Sequence, residues 1–210
     1  MLHKNSYAQN AEDIFIADHF GDYKGTLLSI GENDGLTFSN ARLLIEKGWS
    51  GYLVEPSSIF KDLEKLYVNN PRVICYPLAI SDSIGTSTLY ESGAHVPGGR
   101  DHALVSSLDI EETKRWFNAG VMFTPKEVST FPFNAFWELT DFANFDFISI
   151  DAEGYDYMIL KQIDLKTVGC KCLIIEHNGN PKLKAEFETY CKQFDLVPVL
   201  SNSENIIFNL

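Results

Sequence analysis

Residues 201–204 alone separate two apolar runs at the end of the chain, 196–200 and 205–210. A parallel crossover needs about a dozen residues or more, so these two runs must pair as an antiparallel hairpin. Upstream the pattern differs. Thr26–Ile30 is a short apolar run ending at Gly31, and 37–47 carries a helical stripe of Phe38, Ala41, Leu44 and Ile45 stopped by Gly48. Residues 51–55 read as a second strand. Pro56-Ser57-Ser58 opens a helix striped by Ile59, Leu63, Leu66 and Tyr67, and Asn69-Asn70-Pro71 ends it. Residues 73–80 read as a third strand. This β-α-β-α-β start belongs to a parallel sheet with right-handed crossovers.

The alternation resumes near the C-terminus, with strands at 145–151 and 171–176 and helices at 155–162 and 181–193. The middle is less regular. It holds strands at 86–90 and 127–131, a Gly- and Pro-rich loop over 92–107, and helices at 109–118 and 134–142. The expectation is one α/β domain over 1–210: a mostly parallel seven-stranded sheet, a C-terminal antiparallel hairpin, and helices on both faces. An N-terminal helical segment covers 1–25. The stretch 92–131 is expected to be an insertion lying over one end of the sheet as a lid or acceptor-binding element. A dinucleotide-binding sheet keeps its main strands parallel, so the hairpin favours the methyltransferase variant of the Rossmann-like fold.

Ligands in such sheets bind beyond the carboxyl ends of the strands. The first loop there is Gly31-Glu32-Asn33-Asp34-Gly35. Its two acids would repel a pyrophosphate and attract a ligand bearing a sulfonium and an ammonium, as S-adenosylmethionine does. Gly31 is expected to allow close backbone approach, and Gly35 a tight turn into the helix. Glu55, ending the second strand before Pro56, is placed to accept hydrogen bonds from ribose hydroxyls. Asp82, after the third strand, is a candidate for the adenine amino group. Asp151 and Glu153 follow the fourth strand and Glu176 and His177 the fifth. If those strands are neighbours, the four converge, and crowding raises carboxyl pKa values in a way that suits a general base. The same group could hold a hard divalent ion, but no Asp-x-Asp-x-Asp loop is present, so metal is not favoured and no metal ligand is assigned. His95, Arg100 and His102 could reach an acceptor from the lid. Trp49, Trp116 and Trp137 read as core packing.

Taken together, these motifs resemble the FkbM-type S-adenosylmethionine-dependent methyltransferases. The carriers are Ile30-Gly31-Glu32-Asn33-Asp34-Gly35, Lys47-Gly48-Trp49-Ser50-Gly51-Tyr52-Leu53-Val54-Glu55-Pro56, Ala79-Ile80-Ser81-Asp82, Ser106-Ser107-Leu108, Ile150-Asp151-Ala152-Glu153-Gly154-Tyr155-Asp156 and Ile174-Ile175-Glu176. The family more often has Ala or Ser where Glu32 stands and Val where Ala152 stands. The stretch Ser6-Tyr7-Ala8-Gln9-Asn10-Ala11-Glu12-Asp13 looks like an N-terminal segment that some members place against the cofactor pocket. The resemblance implies methyl transfer to oxygen, often a hydroxyl of a sugar or another small molecule, with S-adenosylhomocysteine as product.

Charge and cysteine usage narrow the alternatives. Twenty-nine acidic residues against 17 basic leave a net charge of −12, a poor counterion for nucleic acid or an anionic membrane. The Asn/Asp-Pro-Pro-Tyr/Phe motif of base methylation is replaced by Asp151-Ala152-Glu153-Gly154. The four cysteines are too few for a disulfide scaffold, and Cys170 and Cys172, two apart, are expected to share one face; a reducing cytoplasm is the expected location. The competing readings are a non-catalytic nucleotide-binding module with the same fold and a NAD-dependent oxidoreductase.

Overall fold

The computed structural model describes residues 6–93, 102–117 and 119–210. In chain order its elements are α1 (Glu12–Phe20), β1 (Thr26–Ile30), α2 (Arg42–Glu46), β2 (Ser50–Val54), α3 (Phe60–Tyr67), β3 (Val73–Tyr76), β4 (Ala79–Ile80), β5 (Gly85–Ser92) and α4 (Ile110–Phe117). There follow β6 (Phe123–Phe131), α5 (Phe133–Leu139), β7 (Phe147–Ile150), α6 (Asp156–Leu160), β8 (Cys172–Glu176), α7 (Pro181–Cys191), β9 (Val197–Ser201) and β10 (Asn205–Asn209).

Seven strands form the main sheet in the order β3-β2-β1-β7-β8-β10-β9. The five from β3 to β8 are parallel; β10 is antiparallel to both β8 and β9. The strand order reverses between β1 and β7, and that gap is the switch point where a ligand crevice opens.

Both faces of the central strands β1, β7, β8 and β10 are buried, which is why these read as nearly continuous apolar runs. Alternate side chains divide between two core layers. Leu28, Ile30, Ile148, Ile150, Leu173, Ile175, Ile206 and Phe208 meet Phe133 and Phe136 of α5, Ile159 of α6 and Phe187 of α7. Leu27, Leu53, Phe147, Cys172, Ile174 and Ile207 meet Ile16 of α1, Leu44 of α2 and Leu63 of α3. Trp49 is buried in this second layer, and Trp137 packs on the first, as expected. Cys170 and Cys172 do not share a face. Cys170 precedes the strand and joins the first layer, whereas Cys172 opens β8 and joins the second.

Several elements are shorter than their patterns predict, and two of them for a cause visible in the structure. The helix expected over 37–47 begins only at Arg42. Asp34 Oδ1 accepts the Leu36 and Thr37 N–H groups, and Ser39 Oγ accepts that of Arg42. These side-chain bonds offer the backbone an alternative to a helix, and Phe38 turns outward, 47 % exposed. The strand expected over 73–80 breaks at Pro77, which has no N–H to give a ladder. Ala79–Ile80 leaves the main sheet and pairs with β6, giving a second sheet in the order β4-β6-β5. In that sheet β5 and β6 pair antiparallel from Gly85↔Thr130 to Ser92↔Phe123. The irregular middle is therefore built on a hairpin stem, β5 with β6. His95 and Arg100 lie outside the described residues. Among the described residues no helix is long and apolar enough to cross a membrane.

Candidate active site

A cavity of about 580 Å³ opens at the switch point. The loop after β1 supplies Gly31, Glu32 and Asn33 to its wall; the end of β2 supplies Glu55 and Pro56. Asp151 and Glu153 come from the loop after β7, and Glu176 ends β8. The cavity lies within the size range of small-molecule sites.

Gly31 is where three strands' ends are pinned together. Its N–H and that of Glu32 donate to the Val54 carbonyl, and the Asp151 N–H donates to the Ile30 carbonyl over 3.0 Å. Its φ is +81°, and a Cβ there would stand 1.7 Å from the Asp151 carbonyl oxygen. The residue is thus required by the meeting of β1 and β7, and not only by a ligand's approach. Gly35 does not lead into the helix; a Cβ there would press on Leu63 and Leu66 of α3.

Glu55 is buried, and each carboxylate oxygen accepts one backbone N–H, from Asn33 over 2.9 Å and from Ser57 over 2.8 Å. Each keeps a further lone pair. Burial, opposed by the bonds from Ser57 and Asn33, still raises its pKa. Asn33 also donates through Nδ2 to the His102 carbonyl over 3.1 Å, tying the first loop to the insertion. The His102 side chain itself is exposed.

The acids of the far wall converge as their strand order requires, since β7 and β8 are neighbours. Asp151, Glu153 and Glu176 each present one carboxylate oxygen within 4.8 Å of the others. Burial first, then the charges of Asp156, Glu55 and Glu32, push Asp151 up to about 8. Burial and the neighbouring acids hold Glu153 and Glu176 well above the ordinary carboxyl range. Three oxygens so grouped suit a hard cation such as Mg²⁺ or Ca²⁺. The loop that carries two of them is shaped by Asp156, whose oxygens accept the Ala152 and Gly154 N–H groups. Glu153 has φ +46°, a strained value for its residue type, and is held at its carbonyl and at its carboxylate. Ser107 Oγ donates to its carbonyl over 2.6 Å, and Arg115 reaches its Oε2 at 3.4 Å.

Besides Gly35, three expected site residues stand off the cavity wall. Asp82 is exposed and off the cavity wall, because the chain has already left the main sheet; Leu78, Ala79 and Ile80 line the wall instead. Asp34 caps its own loop and borders a separate shallow groove. His177 follows Glu176 but turns away from the cavity. It is buried, its Nδ1 accepts the Gly179 N–H over 3.0 Å, and Nε2 stands 3.5 Å from Ser201 Oγ. That is a turn residue's role, and burial lowers its pKa.

Other wall residues were given no role from the sequence. Gln9 lines the cavity, in keeping with the N-terminal segment's resemblance. Its position is set by Glu12, which accepts from Asn202 and Asn205 and so ties α1 to the final hairpin. Glu204 of that hairpin, Asn40, Ser149 and Asn178 also face the cavity. Arg115 and Trp116 of α4 complete it, so Trp116 is a wall residue and not core. α4 carries no fully buried residue, and its apolar stripe alone could not have told a core face from a cavity face.

Among the described residues, no Lys or Arg pairs with Glu32, Glu55, Asp151 or Glu176. A parallel sheet that ends in an antiparallel hairpin, with an acid-lined cavity at its switch point, is the Rossmann-like fold of class I methyltransferases. The sequence profile of the methyltransferase FkbM domain matches residues 29–196, and the chain belongs to that family. No match is found among curated proteins. Solved structures similar to it include the precorrin-6y C5,15-methyltransferase of Geobacter metallireducens, with TM-score 0.46, 10% identity, and 100% of this chain and 92% of that one covered. The 1,6-didemethyltoxoflavin-N1-methyltransferase of Burkholderia thailandensis, with bound 1,6-didemethyltoxoflavin and S-adenosylhomocysteine, gives TM-score 0.47, 10% identity, and coverage of 94% and 74%. The METTL16 methyltransferase domain gives TM-score 0.49, 8% identity, and coverage of 96% and 67%.

Proposed function

We propose that the chain transfers the methyl group of S-adenosylmethionine to an oxygen, a hydroxyl of a sugar or another small molecule. The observation that carries this reading is the set of four carboxyls around one cavity, Glu32, Glu55, Asp151 and Glu176, with no cationic partner among the described residues. Groups of this kind are costly to bury unless something positive joins them. The donor, when bound, supplies an electrophilic methyl on a sulfonium, together with an ammonium. Glu55 receives the ribose hydroxyls on the lone pairs that Asn33 and Ser57 leave free. Asp151, Glu153 and Glu176 face the acceptor, where one of them removes the hydroxyl proton as the new bond forms. The insertion's Arg115 and Trp116 help to close the wall and keep water from the transfer point. A dinucleotide would set its pyrophosphate against Glu32, which disfavours an oxidoreductase.

Calorimetry with S-adenosylhomocysteine tests the donor. Glu55→Ala is expected to lose on the order of 1–3 kcal/mol of binding free energy, the range for hydrogen bonds to a charged group. Unchanged affinity would reject the ribose assignment, and tighter binding of NADH than of S-adenosylhomocysteine would reject the donor. Tritium transfer from labelled donor to a panel of sugars and hydroxylated small molecules tests the acceptor; label found only in amines would move it away from oxygen. A second reading, metal-assisted transfer, is favoured by the spacing of the three carboxylate oxygens. Activity that vanishes with chelator and returns with Mg²⁺ would make those carboxylates ligands and not bases.

A further inference from the structure

Glu32 stands where a smaller residue would satisfy the turn, yet it is only 3 % exposed and lies on the cavity wall. Ser39 Oγ donates to its Oε1 over 2.5 Å, and the same hydroxyl accepts the Arg42 N–H over 2.9 Å. Ser39 has one proton to give and gives it here, so the carboxyl is held in one orientation. Ser29 of β1 also bonds to it. The groups that face it are acids or weak acids. Asp34 stands in the same loop, Glu55 ends β2, Asp151 follows β7, Tyr67 belongs to α3 and Cys75 to β3. Arg42, which opens α2, turns to Tyr67, Tyr7 and Glu46. Burial, opposed by the bonds from Ser29 and Ser39 and reinforced by Asp34 and Glu55, pushes the Glu32 carboxyl up to about 7.

We propose that Glu32 holds the ammonium-bearing end of the methyl donor, and that binding there expels one proton from the carboxyl to solvent. The proposal rests on S-adenosylmethionine being the donor. The step balances simply: the carboxyl O–H bond breaks, the proton goes to buffer, and the carboxylate pairs with the incoming ammonium. The free site holds the proton below about pH 7, and the occupied site does not. Affinity therefore weakens as pH falls below that value, by up to about tenfold per pH unit for one proton. Glu55 is raised as well, but it is held differently. Its two oxygens are each tied to a backbone N–H, which favours the ionised form, whereas Glu32 is held by hydroxyls alone.

The test is calorimetric titration of S-adenosylhomocysteine into the full chain, at about pH 6 and about pH 8.5, each in two buffers of different ionisation enthalpy. The dependence of apparent heat on buffer counts the protons released. Near pH 6 the wild type is expected to release about one proton more than Glu32→Gln, and near pH 8.5 the two are expected to converge. Equal proton release by both near pH 6 would overturn the proposal and assign the coupling to the other carboxyls. If Glu32→Gln does not fold, Ser39→Ala serves instead. Losing that hydroxyl removes a bond that favours the ionised form, so the midpoint of the affinity–pH curve should move upward, and an unmoved midpoint overturns the proposal. Failure of S-adenosylhomocysteine to bind the wild type at either pH is a separate result. It rejects the donor itself, and the proposal with it.

Discussion

Asp151→Asn is expected to slow methyl transfer roughly 10²–10⁴-fold, the usual loss when a general base is removed, while raising the unfolding temperature at neutral pH. Asp151 stands just beyond β7 at the point where the sheet order reverses, and its backbone is fixed to Ile30 over 3.0 Å. Its carboxyl has no cationic partner among the described residues, and burial with its acidic neighbours holds its pKa at about 8. In the unfolded chain the same group titrates in the ordinary range. Between those two values the folded state binds the proton that the unfolded state gives up, so this group's contribution to stability is present at low pH and is lost as pH rises towards 8. Asn keeps the shape and removes that dependence. The melting temperature near pH 8 should therefore rise, by roughly 2–4 °C for each 1 kcal/mol recovered in a chain of this size.

The wild-type rate should climb with pH as the carboxyl ionises through about 8. Rate at saturating donor and melting temperature, each followed across pH, check both halves. If Asp151→Asn retains near-full turnover while Glu153→Gln abolishes it, the base is Glu153. A melting temperature that shows no gain at any pH would sink the electrostatic account. His177→Ala, in contrast, should leave the transfer step intact and disturb only the turn that its ring caps through Gly179.

The second large effect is structural. Gly31→Ala is expected to destabilise the fold by on the order of 4 kcal/mol or more, enough to remove much of a typical domain's stability. The added Cβ would meet the Asp151 carbonyl oxygen at 1.7 Å and its carbonyl carbon at 2.9 Å. Neither partner can retreat. The Gly31 N–H is bonded to Val54 on one side, and the Asp151 N–H to Ile30 on the other. The left-handed φ adds strain of its own, about 1–2 kcal/mol for an L-residue. Gly21→Ala is the control, because Gly21 is also at positive φ but has nothing within 4 Å of its virtual Cβ. Urea unfolding of both variants separates strain from clash. A Gly31→Ala cost no greater than that of Gly21→Ala would show that the two strand ends can part.

Where the physics is local, the sequence by itself was decisive. Strands buried on both faces must be apolar throughout, so β1, β7 and β8 stand out as runs between helical stripes. The four-residue link before Asn205 is too short for anything but a hairpin, and that single constraint separated this sheet from an all-parallel one. That Glu32, Glu55, Asp151, Glu153 and Glu176 would line one cavity was legible because strand ends at a switch point have one possible neighbourhood. The tertiary structure decided the rest, where one residue has two roles that local pattern cannot tell apart. His177 and Glu176 are adjacent, yet only Glu176 lines the cavity, and the His177 ring instead accepts the Gly179 N–H in the turn that follows β8. Asp82 follows a strand, yet Pro77 has already turned the chain towards β6. Asp34 spends its carboxylate on its own loop. Gln9, Arg115, Trp116 and Glu204 come from distant parts of the chain and meet only when the N-terminal segment, the insertion and the last hairpin fold over the same end of the sheet. No spacing along the chain encodes such a meeting; it is set by which elements each segment packs against.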